Sequence, residues 1–223
     1  MRRVTISAHD GLALSAAVWD GPAGRTPILC LPGICRSTLD FEGLAARHRA
    51  RRRVVALDYA GHGESERAAD PARYRPFTLA RDVMDCLAAL HLPRAVVVGV
   101  SFGGLVSMAM SLVRPASVAG VVLGDIGPEI GAVAQASILE RLSRDVAFPG
   151  LDEAIAYWRE VYPANAWLNE ADWHRFTERT FAPRGAGGQW RPRWDPRLVR
   201  RAVGPQPGPP VDLWKFFGGL AGR

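Results

Sequence analysis

The stretch Ala95-Val96-Val97-Val98-Gly99-Val100-Ser101-Phe102-Gly103 decides how the rest of the 223-residue chain is read. Its first half is a short, β-branched apolar run of the kind found in strands buried on both faces. Its second half fits Gly-x-Ser-x-Gly and leads at once into residues 102–113, whose apolar spacing is helical. A serine on so tight a strand-to-helix turn projects its hydroxyl away from the sheet, and small neighbours let the backbone fold that sharply. The first amides of the helix then point at any anion formed beside that hydroxyl.

The segments on either side repeat the strand and helix pattern. Residues 27–31, 53–57 and 117–123 read as further strands, and residues 40–49 and 79–90 read as helices. At the start of the chain, residues 4–8 and 12–19 flank the turn signal His9-Asp10-Gly11 and predict an antiparallel pair. Strands alternating with helices specify an α/β fold, a mostly parallel sheet with helices on both faces. Beyond Pro128 the character changes: residues 132–144, 151–162 and 170–181 have helical spacing with no strand-like run between them. Asn169 and Asp172 form a helix-capping pair, and Pro183 is a stop signal. A Gly-, Arg- and Trp-rich loop over 184–194, the breaker run 204–210 and a last amphipathic turn or two follow. The expected division is an α/β core over residues 1–130 and an inserted helical cap over residues 131–223.

With 48% hydrophobic and 22% charged residues, the composition is that of a folded globular domain and excludes disordered and collagen-like classes. Cys30, Cys35 and Cys86 are too few and too scattered for a disulfide framework or a zinc cluster, so reduced thiols, no metal and a cytoplasmic location are expected. Neither a signal-peptide pattern nor a run of roughly 20 apolar residues is present, and no membrane association is expected. The net charge of +6 comes from arginines spread along the chain, with Lys215 the one lysine. Their densest cluster, Arg47 to Arg53, falls where a helix ends, a position that suits cations, and no nucleic-acid partner is expected.

A nucleophilic serine needs donors for the oxyanion that forms on attack. One is the N–H of Phe102; the other is assigned to Ile34 in the loop Leu31-Pro32-Gly33-Ile34-Cys35, where Gly33 permits the backbone twist. The six tryptophans from Trp158 to Trp214 either line an apolar acyl pocket or form the cap's own packing.

These residues resemble the α/β-hydrolase family over about residues 4–130. Besides the serine elbow, Asp58-Tyr59-Ala60-Gly61-His62-Gly63-Glu64-Ser65 is similar to the family's DxxGxGxS turn, and Asp125-Ile126-Gly127-Pro128-Glu129 resembles the exit of its sixth strand, where a helical cap is commonly inserted. Pro32 departs from the family, which usually has His before the glycine. The resemblance implies a serine hydrolase of small carboxylic esters or related acyl substrates, needing no cofactor, with Ser101 as nucleophile and Ile34 and Phe102 as oxyanion donors.

The family's acid and histidine normally follow two further strands, and no apolar strand followed by Asp and no late His is visible here. The final strands are therefore expected to be missing, which impairs catalysis and leaves the outer edge of residues 117–123 open to self-association. Ser101, Asp125 and His174 are the one set preserving the family's order. His174 beside Trp173 nonetheless reads as a helix-surface or cap-packing residue, and His62 as a structural part of its turn. A noncatalytic remnant that binds a ligand, or a carbon–carbon bond hydrolase or perhydrolase on the same scaffold, are the alternatives.

Overall fold

A computed structural model describes residues 1–129, 131, 136, 139, 140, 142–165, 167–185, 187–203 and 212–221. The apolar runs form β3 (Ile28–Leu31), β4 (Val54–Asp58) and β5 (Ala95–Val100), and every residue of β3 and β4 is buried. The period of two along these strands sends alternate side chains to opposite faces. Ile28, Cys30, Val54 and Ala56 pack with Phe41 and Ala45, at and within the first turns of α1 (Glu42–His48). Leu29, Leu31, Val55 and Leu57 pack in the other cluster, which holds Leu79 and Val83 of α2 (Pro76–Ala89) and Val106 and Met110 of α3 (Phe102–Val113). Helix α2 starts three residues before the expected Leu79, because Pro76 is preorganised for a first helical turn.

β1 (Arg2–Ser7) and β2 (Ala13–Trp19) are the predicted antiparallel pair, and β2 also lies antiparallel to β4. From β4 onward the sheet is parallel, giving the order β1-β2-β4-β3-β5-β6 with β6 over Val118–Gly124. The carboxyl ends of β3, β4 and β5 therefore meet along one rim, where ligands bind in sheets of this kind.

The cap is not purely helical, which corrects the expectation for residues 131–223. Helices α4 (Leu151–Val161) and α5 (Glu170–Thr180) form as predicted, the second with its capping box: Asn169 Oδ1 accepts the Asp172 N–H at 2.9 Å, and the Asp172 carboxylate accepts the Asn169 N–H at 3.3 Å. The next residues, read above as a helix stop and a loop, make a hairpin of β7 (Phe181–Arg184) and β8 (Gln189–Pro192). Its turn has Gly185 and Gly188 at φ 73° and 60°. Both strands of a two-stranded ribbon are edges, so Pro183 and Pro192 are tolerated there, while proline and arginine break the alternation that marks a strand in sequence. Two short helices follow, α6 (Pro196–Val203) and α7 (Leu213–Gly218). Much of the expected helix over 132–144, and all of the 204–210 run, lie outside the described residues.

The cap's buried tryptophans pack on one another and on neighbouring rings. Trp158 lies with its ring centroid 5.3 Å from Phe176, 5.4 Å from Phe181 and 6.1 Å from Trp194, whereas Trp167 is 77% exposed. A buried clamp fastens this unit to the core. The Tyr74 hydroxyl donates to Asp195 at 2.8 Å, the Asp195 N–H donates to Gly61 O at 2.7 Å, and Arg197 reaches both the Asp195 carboxylate and Ala68 O. Burial acts to raise the Asp195 carboxyl, but the Arg197 guanidinium and Tyr74 hydroxyl outweigh it and hold it below the ordinary carboxylate value. Among the described residues, no helix is long and apolar enough to cross a membrane.

β6 is the edge of the sheet, with no strand on its outer side among the described residues, and Val122 in its middle is 53% exposed. Its sequence Val-Ala-Gly-Val-Val-Leu-Gly carries no charge to oppose edge-to-edge pairing. We expect the 223-residue chain to self-associate through this edge. Sedimentation velocity across a concentration series should show dimers or larger species that Val122→Lys disperses; a monomer at all concentrations would contradict this.

Candidate active site

Ser101 ends the β5 turn and caps α3 with φ 49° and ψ −113°, a backbone conformation that a side-chain-bearing residue holds at a cost of about 1–3 kcal/mol. Glycines make the turn sterically possible. A Cβ on Gly99 would stand 2.4 Å from both Gly103 O and Ser107 Oγ, and one on Gly103 would stand 2.0 Å from Leu31 O and 2.8 Å from Pro32 O. Helix α3 is thus pressed against the end of β3, and this contact brings the following loop alongside the serine. A Cβ built on Gly33 would lie 3.6 Å from Ser101 Cβ. On the other side, the Ser101 N–H donates to Gly124 O at 2.7 Å, joining the elbow to the end of β6.

The two assigned donors thus belong to the elbow and to the loop beside it. Phe102 is the first residue of α3, where an N–H has no intrahelical acceptor, and the Ile34 N–H donates to no acceptor among the described residues. Both residues are half-buried, as is Ser101. The turn itself is held by Arg36 N–H to Gly33 O at 3.1 Å and by Cys35 at φ 63°. Burial pushes the Cys35 thiol well above its ordinary pKa, which keeps it from competing as a nucleophile.

Sequence reading assigned no role to the carboxylate that braces this rim. Asp58, fully buried at the end of β4, accepts the Thr38 N–H at 2.7 Å, the Glu64 N–H at 3.2 Å and the Arg3 guanidinium at 2.9 Å. It ties the segment after the oxyanion loop, the glycine-rich turn and β1 to one point. A Cβ on Gly63, at φ 53°, would stand 2.3 Å from the Asp58 carboxyl carbon, so the turn needs glycine there. Burial raises the Asp58 pKa against the pull of these donors. The available signal was its place as the first residue of the DxxGxGxS turn, an aspartate closing an otherwise apolar strand.

The remaining candidates separate. Asp125 follows directly on Gly124, with φ 53°, and is exposed at the end of β6. His174 is exposed on α5, so the surface reading describes it and the Ser101, Asp125, His174 set is not assembled by hydrogen bonds. His9 is 3.4 Å from Asp85, and His91 is exposed just after α2. His62 is 1% exposed, with Nδ1 3.1 Å from Ala60 O and its backbone bridged to Trp194, which is the structural role expected of it. None of the five histidines hydrogen-bonds to Ser101 among the described residues. One group, His9, Asp82 and Asp85, has ligand atoms within 4.8 Å of one another, but Asp82 is gripped by both arms of Arg73 at 2.8 and 2.9 Å and His9 already partners Asp85.

A parallel sheet, a serine elbow between strand and helix and a glycine loop laid against it define a class, and the comparisons place the chain in it. Residues 26–216 match the model of the alpha/beta hydrolase fold family, and the chain belongs to that family of hydrolases. It is 28% identical over 183 residues to the 3-hydroxybutyrate-oligomer hydrolase of Cupriavidus necator, covering 81% of this chain and 62% of that protein. It is 36% identical over 119 residues to an sn-1-specific diacylglycerol lipase of Mus musculus, covering 52% of this chain and 38% of the lipase. The chain thus spans less than two thirds of the length of these relatives. Among solved structures, an alpha/beta hydrolase from Novosphingobium aromaticivorans superposes with a TM-score of 0.90 at 31% identity, covering 100% of this chain and 78% of that one.

Burial lowers the His62 pKa to about 4, against an ordinary 6.5, so the ring is neutral in the folded protein at neutral pH. The unfolded chain binds a proton at higher pH than the folded one does, so stability from this group is complete above about pH 6.5 and is lost as pH falls towards 4. Urea denaturation at pH 7 and pH 4 should show His62→Gln losing about 3 kcal/mol less stability than the unsubstituted chain over that interval. Equal losses would contradict a buried neutral histidine.

Proposed function

We propose that this chain is a serine hydrolase of small carboxylic esters or related acyl compounds, with Ser101 as nucleophile and the N–H groups of Ile34 and Phe102 as oxyanion donors. The observation that carries this reading is the positive φ of Ser101 on an elbow so close to the neighbouring loop that a Cβ added to Gly33 would lie 3.6 Å from Ser101 Cβ. Backbone strain of this kind persists where the surroundings over-determine it, and such sites cluster where chemistry is done. The relatives named for 3-hydroxybutyrate oligomers and diacylglycerol act on carboxylic esters, which supports the substrate class.

In the reaction, Ser101 Oγ bonds to the acyl carbon and the carbonyl electron pair moves onto oxygen, where the two N–H groups stabilise it. Collapse of that intermediate breaks the bond to the leaving alkoxide, which takes up a proton, and water then releases the acid from the acyl-serine. The serine proton needs a base. Because none of the five histidines bonds to Ser101 among the described residues, the second reading, a hydrolase scaffold that binds its ligand without efficient turnover, has a specific observation in its favour.

A fluorophosphonate probe decides between fast and slow chemistry at this serine. Without a bonded base, the oxyanion donors and binding leave a rate roughly 10³- to 10⁴-fold over water, as in the protease case. Labelling of the 223-residue chain is therefore expected to be slow, to map to Ser101 by mass spectrometry and to vanish in Ser101→Ala. Fast labelling that His174→Ala also abolishes would make His174 the base and contradict the slow-turnover expectation.

A further inference from the structure

Arg36 occupies a position that neither its sequence neighbours nor the oxyanion assignment explains. It follows the turn Gly33-Ile34-Cys35, and the residue is tied to three separate parts of the molecule. Its backbone N–H closes the oxyanion turn on Gly33 O at 3.1 Å, and a Cβ added to Gly33 would meet both Arg36 Cγ at 3.5 Å and Ser101 Cβ at 3.6 Å. Its fork is fixed by Asp40, which accepts from Nε at 2.7 Å and from Nη2 at 2.6 Å, a bidentate pair that sets the plane of the guanidinium. The face of that plane lies on the ring of Phe176 in cap helix α5, with Cζ 4.2 Å from the ring centroid.

Phe176 is itself locked in the aromatic interior of the cap, with its ring 5.3 Å from Trp158, 6.0 Å from Trp173 and 6.1 Å from Tyr162. A second link runs beside the first, since the buried Ser37 donates its hydroxyl to Arg179 O at 3.3 Å. The third guanidinium nitrogen, Nη1, is buried with no hydrogen-bond partner. A guanidinium kept in place with one unpaired buried nitrogen is held by its packing and its fork rather than by full hydrogen-bonding, and is not the arrangement stability alone would select.

We propose that Arg36 is the positioning residue of the oxyanion turn, and that the cap acts on the site through the Phe176 ring. The inference rests on the serine-hydrolase reading of the elbow. Packing fixes Phe176, Phe176 and Asp40 fix the guanidinium and so the placement of residue 36, and the Arg36 N–H bonded to Gly33 O holds the turn and thereby the Ile34 N–H at the serine. Donors displaced by an ångström lose much of their effect on a transition state, while initial probe binding hardly depends on them.

The test separates the limiting rate of Ser101 phosphonylation by a fluorophosphonate, in which the P–O bond forms and fluoride leaves, from the concentration that half-saturates it. Arg36→Met keeps the stem and removes fork and charge; it should lower the limiting rate about 10-fold or more and leave the half-saturating concentration within about twofold. Arg36→Lys should not restore the rate, because an ammonium supplies neither the fork nor the flat face. Phe176→Leu should lower the rate in the same sense, and the double variant should be no slower than Arg36→Met alone, the signature of two residues acting along one path. A merely structural role would move the thermal midpoint and leave the limiting rate of the folded fraction unchanged. Ser101-dependent labelling at an unchanged limiting rate in Arg36→Met, or strictly additive losses, would overturn the proposal alone. Labelling that survives Ser101→Ala, or no labelling of the unsubstituted chain, would overturn the serine reading and the proposal with it.

Discussion

The contact between helix α3 and the end of β3 is the constraint on which the rest of the rim depends. A methyl group at residue 103 would sit 2.0 Å from a backbone oxygen, so the helix can approach only because Gly103 has no side chain. The approach carries Ser101 into its positive-φ turn and sets the loop after β3 beside it. The N–H of Phe102 opens the helix and that of Ile34 donates to no acceptor among the described residues. On the proposed reading the oxyanion site is built from backbone alone, which tolerates wide variation in side chains around it.

What holds that geometry is a set of buried polar links between segments far apart in sequence. Asp58 joins residues 3, 38 and 64 at one carboxylate, and Asp195 joins residues 74 and 197 at another while its own N–H holds Gly61 O. Each removes a charge from water, a cost that the donors must offset, and each becomes strongly destabilising if one partner is deleted. Their value is in placement: the first fixes the glycine-rich turn and the segment behind the oxyanion loop, and the second seats the cap on that same turn. The Arg36 stack on Phe176 adds a contact between the cap interior and the segment after the Gly33 turn.

The core was legible because its signals are local. Buried β3 and β4 read as apolar runs, the elbow as Gly-x-Ser-x-Gly after such a run, and α5 as a capping pair followed by helical spacing. The cap hairpin was not legible, since Pro183, Arg184 and two turn glycines erase alternation over strands of only four residues. Asp58, Asp195 and Arg36 could be seen as residues but not as hubs, because Asp58 gathers partners 20 and 55 positions away, Asp195 a partner 121 positions away, and Arg36 stacks across the cap boundary. Sequence order alone offered Asp125 and His174 as an acid and a base; their exposure at a strand end and on a helix surface is a fact of the fold.

The central claim is that the N–H groups of Ile34 and Phe102 converge on an oxygen attached at Ser101. Amide NMR of the chain before and after complete phosphonylation of Ser101 tests it most directly, because the bound phosphoryl oxygen stands where the oxyanion would. The Ile34 and Phe102 amide protons should shift downfield together as they take up this acceptor. Unshifted Ile34 and Phe102 amides, with the downfield changes on other residues, would contradict it.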